Sequence, residues 1–130
     1  TCLSQRKVLQ VDIDDTTCAL LEFDSGLTGY LATLFATPLT SQLRVSGTLG
    51  SAVAEQDFTR LIKTTSDAEQ HMIPLDDSDS VAAEIQAFAN SCTNGKPYPV
   101  TLQQAVHNVA VMSAMLNSSE AGGVWTEVER

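Results

Sequence analysis

A chain of 130 residues can bury the core of one domain, and 43% apolar with 18% charged residues is the balance of an ordinary globular protein. Sixteen acidic against seven basic side chains give a formal charge of −9, so no basic face can be assembled for a nucleic-acid duplex or an anionic membrane surface. Cys2, Cys18 and Cys92 form no CxxC pair and are odd in number, which argues against a disulfide framework and a structural zinc site and for a reducing, cytoplasmic compartment. No apolar run reaches the roughly 20 residues of a membrane span. The opening at Thr1, without Met and followed by polar residues 4–7, reads as a cut rather than a natural start.

The first half reads as strands. A run over Val8–Ile13 is expected to pair. Thr17–Asp24 and Gly29–Thr37 alternate in the manner of strands and are joined by a short turn at Ser25-Gly26-Leu27-Thr28, which predicts an antiparallel hairpin. On the second of these strands Tyr30, Ala32, Leu34 and Ala36 share one face, while Leu31, Thr33 and Phe35 share the other. Both faces are largely apolar. Gln42–Ser46 and Leu49–Glu55 are shorter strands joined through Gly47-Thr48, and Phe58–Lys63 and His71–Leu75 are weaker ones.

The second half reads as two helices. Asp76, Asp77 and Asp79 precede the first, where carboxylates favour the positive end of the helix dipole. Val81, Ile85, Phe88 and Cys92 then recur at helical spacing, and Asn94-Gly95 stops the helix. Thr101 and Gln104 form a capping box for the second helix, whose stripe is Leu102, Ala105, Val106, Val109, Met112 and Leu116. From 110 to 116 it is apolar almost all round, which demands burial on more than one side. Gly122-Gly123 ends it, and Val124–Val128 is compatible with a last strand. Strands followed by helices predict an α+β domain spanning 1–130: an open antiparallel sheet of about five or six strands with two helices packed on one face.

No catalytic or metal-binding set stands out. Gly47-Thr48-Leu49-Gly50-Ser51 lacks the lysine and spacing of a phosphate loop and reads as a tight turn. The acidic groups at 12–15 and 76–79 lack the glycine and distant glutamate of a calcium loop. His71 and His107 lie beside no carboxylate or cysteine at ligand spacing, and no GxSxG elbow is present. Asn117-Ser118-Ser119 matches a glycosylation acceptor but falls in a predicted helix.

In order, Leu20–Ala36, Leu43–Val53, Ala83–Val100 and Ala105–Val128 resemble the C-terminal half of the glucose–fructose oxidoreductase, inositol dehydrogenase and rhizopine-catabolism family. The shared pattern is a glycine-turn hairpin, a V-x-G-T-x-G-S turn, a helix ending at a glycine, and a final alanine-rich helix closing at Ser118. The resemblance implies a two-domain oxidoreductase in which a Rossmann half, upstream of Thr1, binds NAD or NADP. That half would also carry the Glu-Lys-Pro lysine and the Asp/His pair of catalysis. Neither motif occurs in this chain, so the resemblance assigns it no catalytic and no cofactor-binding residue, and the chain alone is expected to be inactive.

For this chain the resemblance implies a substrate-side and oligomerisation domain for a sugar, polyol or related hydroxy compound. In relatives the turn after the Gly29–Ala36 strand borders the substrate, which maps the substrate loop to Thr37, Leu39, Thr40 and Ser41, and a homo-oligomer is expected through the sheet face that the helices leave uncovered. The rival expectation is a noncatalytic dimerisation or small-ligand-binding module that buries the same surface by self-association.

Overall fold

The computed structural model describes residues 1–56, 58–75 and 79–129. In chain order its elements are β1 (Cys2–Gln5), β2 (Thr16–Glu22), β3 (Thr28–Leu34), β4 (Leu43–Gly47), β5 (Gly50–Glu55), β6 (Arg60–Thr65), β7 (Gln70–Pro74), α1 (Ser80–Asn94) and α2 (Leu102–Glu120). The class is α+β, with two helices and open antiparallel sheets. The expectation of one sheet of five or six strands gives way to two hydrogen-bonded sheets among the described residues, β1-β2-β3 and β4-β5-β6-β7. The chain folds as two compact units, Thr1–Pro38 with Tyr98–Arg130, and Leu39–Pro97.

In the first unit the β2–β3 hairpin runs in register from Thr16↔Leu34 to Glu22↔Thr28. The turn sits slightly earlier than expected. The Phe23 N–H donates to Leu27 O at 2.9 Å and the Gly26 N–H to Phe23 O at 2.8 Å, leaving Asp24, Ser25 and Gly26 as the loop. Gly26 takes φ +80°, the left-handed position that a three-residue hairpin loop requires.

β1 lies at Cys2–Gln5, in the polar opening of the chain, and the run Val8–Ile13 is a loop. The loop's geometry explains the exchange. Asp15 is 2% exposed, and its carboxylate accepts the N–H groups of Lys7 (3.0 Å), Val8 (2.8 Å) and Leu9 (2.7 Å) and the Thr16 hydroxyl (3.0 Å). The N–H groups of Val8 and Leu9, at the start of that run, are committed to the carboxylate and cannot join a ladder.

α2 packs along β1. Cys2, Ala19 and Ala114 are the buried apolar residues of this unit, and Ser118 is 1% exposed. The face in use is therefore the small one, which lets the helix approach the strand closely, and not the predicted stripe. Leu102, Val106, Val109, Met112 and Leu116 all remain more than half exposed. Val124–Val128 forms no strand.

In the second unit the β4–β5 hairpin closes at Gly47↔Gly50, so the glycine cluster is a tight turn, as expected. Pairing continues through Glu55↔Arg60 in β5–β6 and Arg60↔Pro74 in β6–β7. Among the described residues of this unit Val53 is the buried apolar one. α1 starts on Asp79, whose carboxylate accepts the Ala82 N–H at 2.9 Å, and ends at Gly95 with φ +64°. Asp76 and Asp77 lie outside the described residues. α1 buries none of its residues, and its stripe of Val81, Ile85 and Phe88 stays exposed. Among the described residues no helix is long and apolar enough to cross a membrane.

Candidate functional site

The second unit contains a cleft of about 470 Å³. One wall is the segment entering β4, with Leu39, Thr40, Ser41 and Gln42. The other is the end of the β5–β6 hairpin, with Glu55, Gln56 and Arg60. β4 opens at Leu43, which pairs with Ala54, so Gln42 arrives beside Glu55 as a consequence of register.

Three of the four residues expected in the substrate loop therefore share one cleft. Thr37 does not join them. It belongs to the first unit, where its hydroxyl donates to Leu34 O at 2.9 Å.

Glu55 and Arg60 face each other across the last rung of β5 and β6, and their side chains form an ion pair. Both are partly buried, at 24% and 33% exposure. Arg60 Nε is buried and, among the described residues, has no hydrogen-bond partner.

The turn between the two strands is strained. Gln56 has φ +52° and Phe58 φ +66°, in the region that residues other than glycine avoid. Thr59 holds it, donating from its N–H (3.2 Å) and its hydroxyl (2.8 Å) to Gln56 O.

Sequence reading missed Gln42, Glu55, Gln56 and Arg60. The available signal was a pair of opposite charges at the facing ends of two consecutive strand candidates. Extending the weak Phe58–Lys63 run into a hairpin with Leu49–Glu55 would have brought those charges together.

Among the described residues no group of three His, Cys, Asp or Glu side chains converges to hold a metal. A dinucleotide pyrophosphate is held by open N–H groups at a helix start. At α1 the Asp79 carboxylate occupies that position and would repel the phosphates. At α2 the Gln104 N–H donates to Thr101 Oγ1 at 3.2 Å, and Gln104 Oε1 accepts the Thr101 N–H at 2.9 Å. Neither helix start fits the cofactor's pyrophosphate.

Known proteins share this architecture. The chain is 28% identical over 116 residues to D-xylose 1-dehydrogenase (NADP(+)) 2 of Haloferax volcanii, covering 85% of this chain and 36% of that protein. A solved protein of Desulfitobacterium hafniense, described as an NADPH-dependent oxidoreductase, superposes with a TM-score of 0.79 at 22% identity, over 92% of this chain and 39% of the other. A solved protein of Klebsiella pneumoniae, described as an oxidoreductase, gives a TM-score of 0.71 at 16% identity, over 99% of this chain and 43% of the other. The chain thus spans about two-fifths of the length of these relatives. Residues 3–128 match the model described as the oxidoreductase family, C-terminal alpha/beta domain, and the chain belongs to that family.

Proposed function

We propose that residues 1–130 form the substrate-side and oligomerisation domain of a cytoplasmic, NAD(P)-dependent oxidoreductase acting on a sugar, polyol or related hydroxy compound. In this reading a Rossmann segment of the same protein supplies the cofactor site and the catalytic lysine. The observation that carries the reading is the cleft in which Leu39, Thr40 and Ser41 meet, within a chain of this oxidoreductase family. Hydroxyl side chains on a concave wall hold a hydroxylated substrate by donating and accepting at once. The related D-xylose dehydrogenase is consistent with an aldose as the substrate.

The test is to express the full reading frame that contains this chain and assay aldoses, polyols and inositols with NAD+ and with NADP+. Turnover of at least one such compound is expected. Thr40→Val and Ser41→Ala are each expected to raise its KM by about tenfold, the effect of one lost hydrogen bond. A full-length protein that oxidises none of these compounds with either nucleotide would sink the reading.

The second reading, a noncatalytic self-associating module, draws on the exposed apolar face of the first unit. Leu20, Tyr30 and Leu34 are each half exposed or more, and with Ala32 they share one face of β2–β3. It would gain if the full reading frame carried no dinucleotide-binding segment.

A further inference from the structure

We propose that Gln42, Glu55, Gln56 and Arg60 make the cleft a charge-balanced recognition site, one that admits an uncharged polyhydroxy molecule and rejects its carboxylate counterpart, with Glu55 as the specificity-determining residue. The proposal rests on the substrate-side reading of Leu39–Ser41 and assigns four residues that the reading does not use.

The charge argument starts from Arg60. A guanidinium at the mouth of a cleft is ordinarily an anion receptor, because its planar fork matches a carboxylate. Here the backbone register sets Glu55 directly opposite, and the pair is made. An incoming carboxylate would have to displace Glu55 from the guanidinium or sit against it, and like charges in a partly buried cleft repel. The chain's formal charge of −9 adds to that repulsion. An uncharged hydroxyl meets no such barrier.

The polar inventory of the cleft points the same way. The hydroxyls of Thr40 and Ser41 and the amides of Gln42 and Gln56 each donate and accept. Glu55 accepts, and the Arg60 guanidinium donates. Neighbouring hydroxyl groups on a sugar or polyol ring also donate and accept from adjacent positions, so they suit this mixed set, whereas a carboxylate only accepts. The strained turn is consistent with a placed wall. Gln56 is held at φ +52°, with its carbonyl locked by both donors of Thr59, so its side chain is presented from a fixed backbone.

The experiment uses the full-length protein and two sets of probes: D-xylose, D-glucose and myo-inositol as neutral molecules, and D-xylonate and D-gluconate as their acids. Calorimetric binding and steady-state turnover are measured for the unmutated protein and for Glu55→Gln, Arg60→Met and Arg60→Lys, each checked for an unchanged thermal transition. The expected result is that the unmutated protein binds neutral probes and not the acids. Glu55→Gln should shift the preference toward the acids by about tenfold or more, the effect of one hydrogen bond to a charged group. Arg60→Met should weaken neutral binding without gaining the acids, and Arg60→Lys should restore part of it.

Acids that bind the unmutated protein as well as neutral probes do would overturn the proposal. So would no neutral binding at all, or a preference unaltered by Glu55→Gln. The two readings fail separately. Neutral binding that responds to Glu55 without any turnover sinks the substrate-side reading alone, and turnover indifferent to Glu55 sinks only the recognition wall.

Discussion

The Ser118 hydroxyl joins α2 to the edge strand β1 by accepting the Cys2 N–H at 2.8 Å, while its proton goes to Val124 O at 2.6 Å. One residue on, Ser119 Oγ accepts the Ser4 N–H at 2.9 Å. Consecutive serines of one helix thus cover alternate outward-facing donors of an edge strand, a row that would otherwise be open to pairing with another chain.

Ser118→Ala is expected to leave the Cys2 N–H and the Val124 carbonyl without this partner in a buried place, at a cost of about 1–3 kcal/mol. Urea denaturation of the variant against the exposed Ser66→Ala, expected within about 0.5 kcal/mol of the unmutated protein, measures it. Equal midpoints for the two variants would show that water replaces the hydroxyl.

Gly50 and Gly47 close the same turn yet should respond unequally to alanine. A Cβ on Gly50 would lie 2.2 Å from Thr64 O, and its φ of +139° is strained for any L side chain. A Cβ on Gly47 meets nothing within 4 Å. Thermal unfolding should show Gly50→Ala destabilised by roughly 2 kcal/mol or more and Gly47→Ala nearly unchanged. Comparable losses in both would place the cost in the turn's flexibility instead.

Asp15 sets a pH dependence. The N–H groups of Leu9, Lys7 and Val8 hold its carboxylate far below the ordinary range for an aspartate, against a smaller opposing effect of burial. Because the folded value lies below the unfolded one, about 3.9, the contribution to stability is fully present above that pH. It is lost as pH falls from there toward the folded value. Denaturation midpoints followed from pH 6 downward should decline for the unmutated protein and decline less for Asp15→Asn. Parallel curves would remove Asp15 from the acid response.

The apolar face of β2–β3 should drive self-association, since scattered apolar residues are tolerated on monomers and contiguous patches seldom are. Leu34→Asp, at a half-exposed position on that face, is expected to give monomers or insoluble protein. Sedimentation of the unmutated chain as a monomer at high micromolar concentration would end this proposal.

By itself the sequence determined what short-range physics controls. Alternation and Gly26 specify the β2–β3 hairpin, Thr101 and Gln104 cap α2 across three residues, and Gly95 stops α1. Leu39, Thr40 and Ser41 are singled out by the family resemblance, which puts the substrate loop after that hairpin, and not by any local pattern of their own.

Only the tertiary structure decided which donors are satisfied by residues far away in the chain. β1 carries no apolar alternation, and its open N–H groups are met by serines 116 and 115 positions away. Val8–Ile13 has the alternation and is not a strand, because Asp15 claims its neighbours' donors. The second helix turns its small residues to the sheet, since close approach and two serine hydroxyls suit β1 better than a bulky stripe does. Glu55 and Arg60 become partners only once β5 and β6 pair, and periodicity in either strand alone does not encode that register.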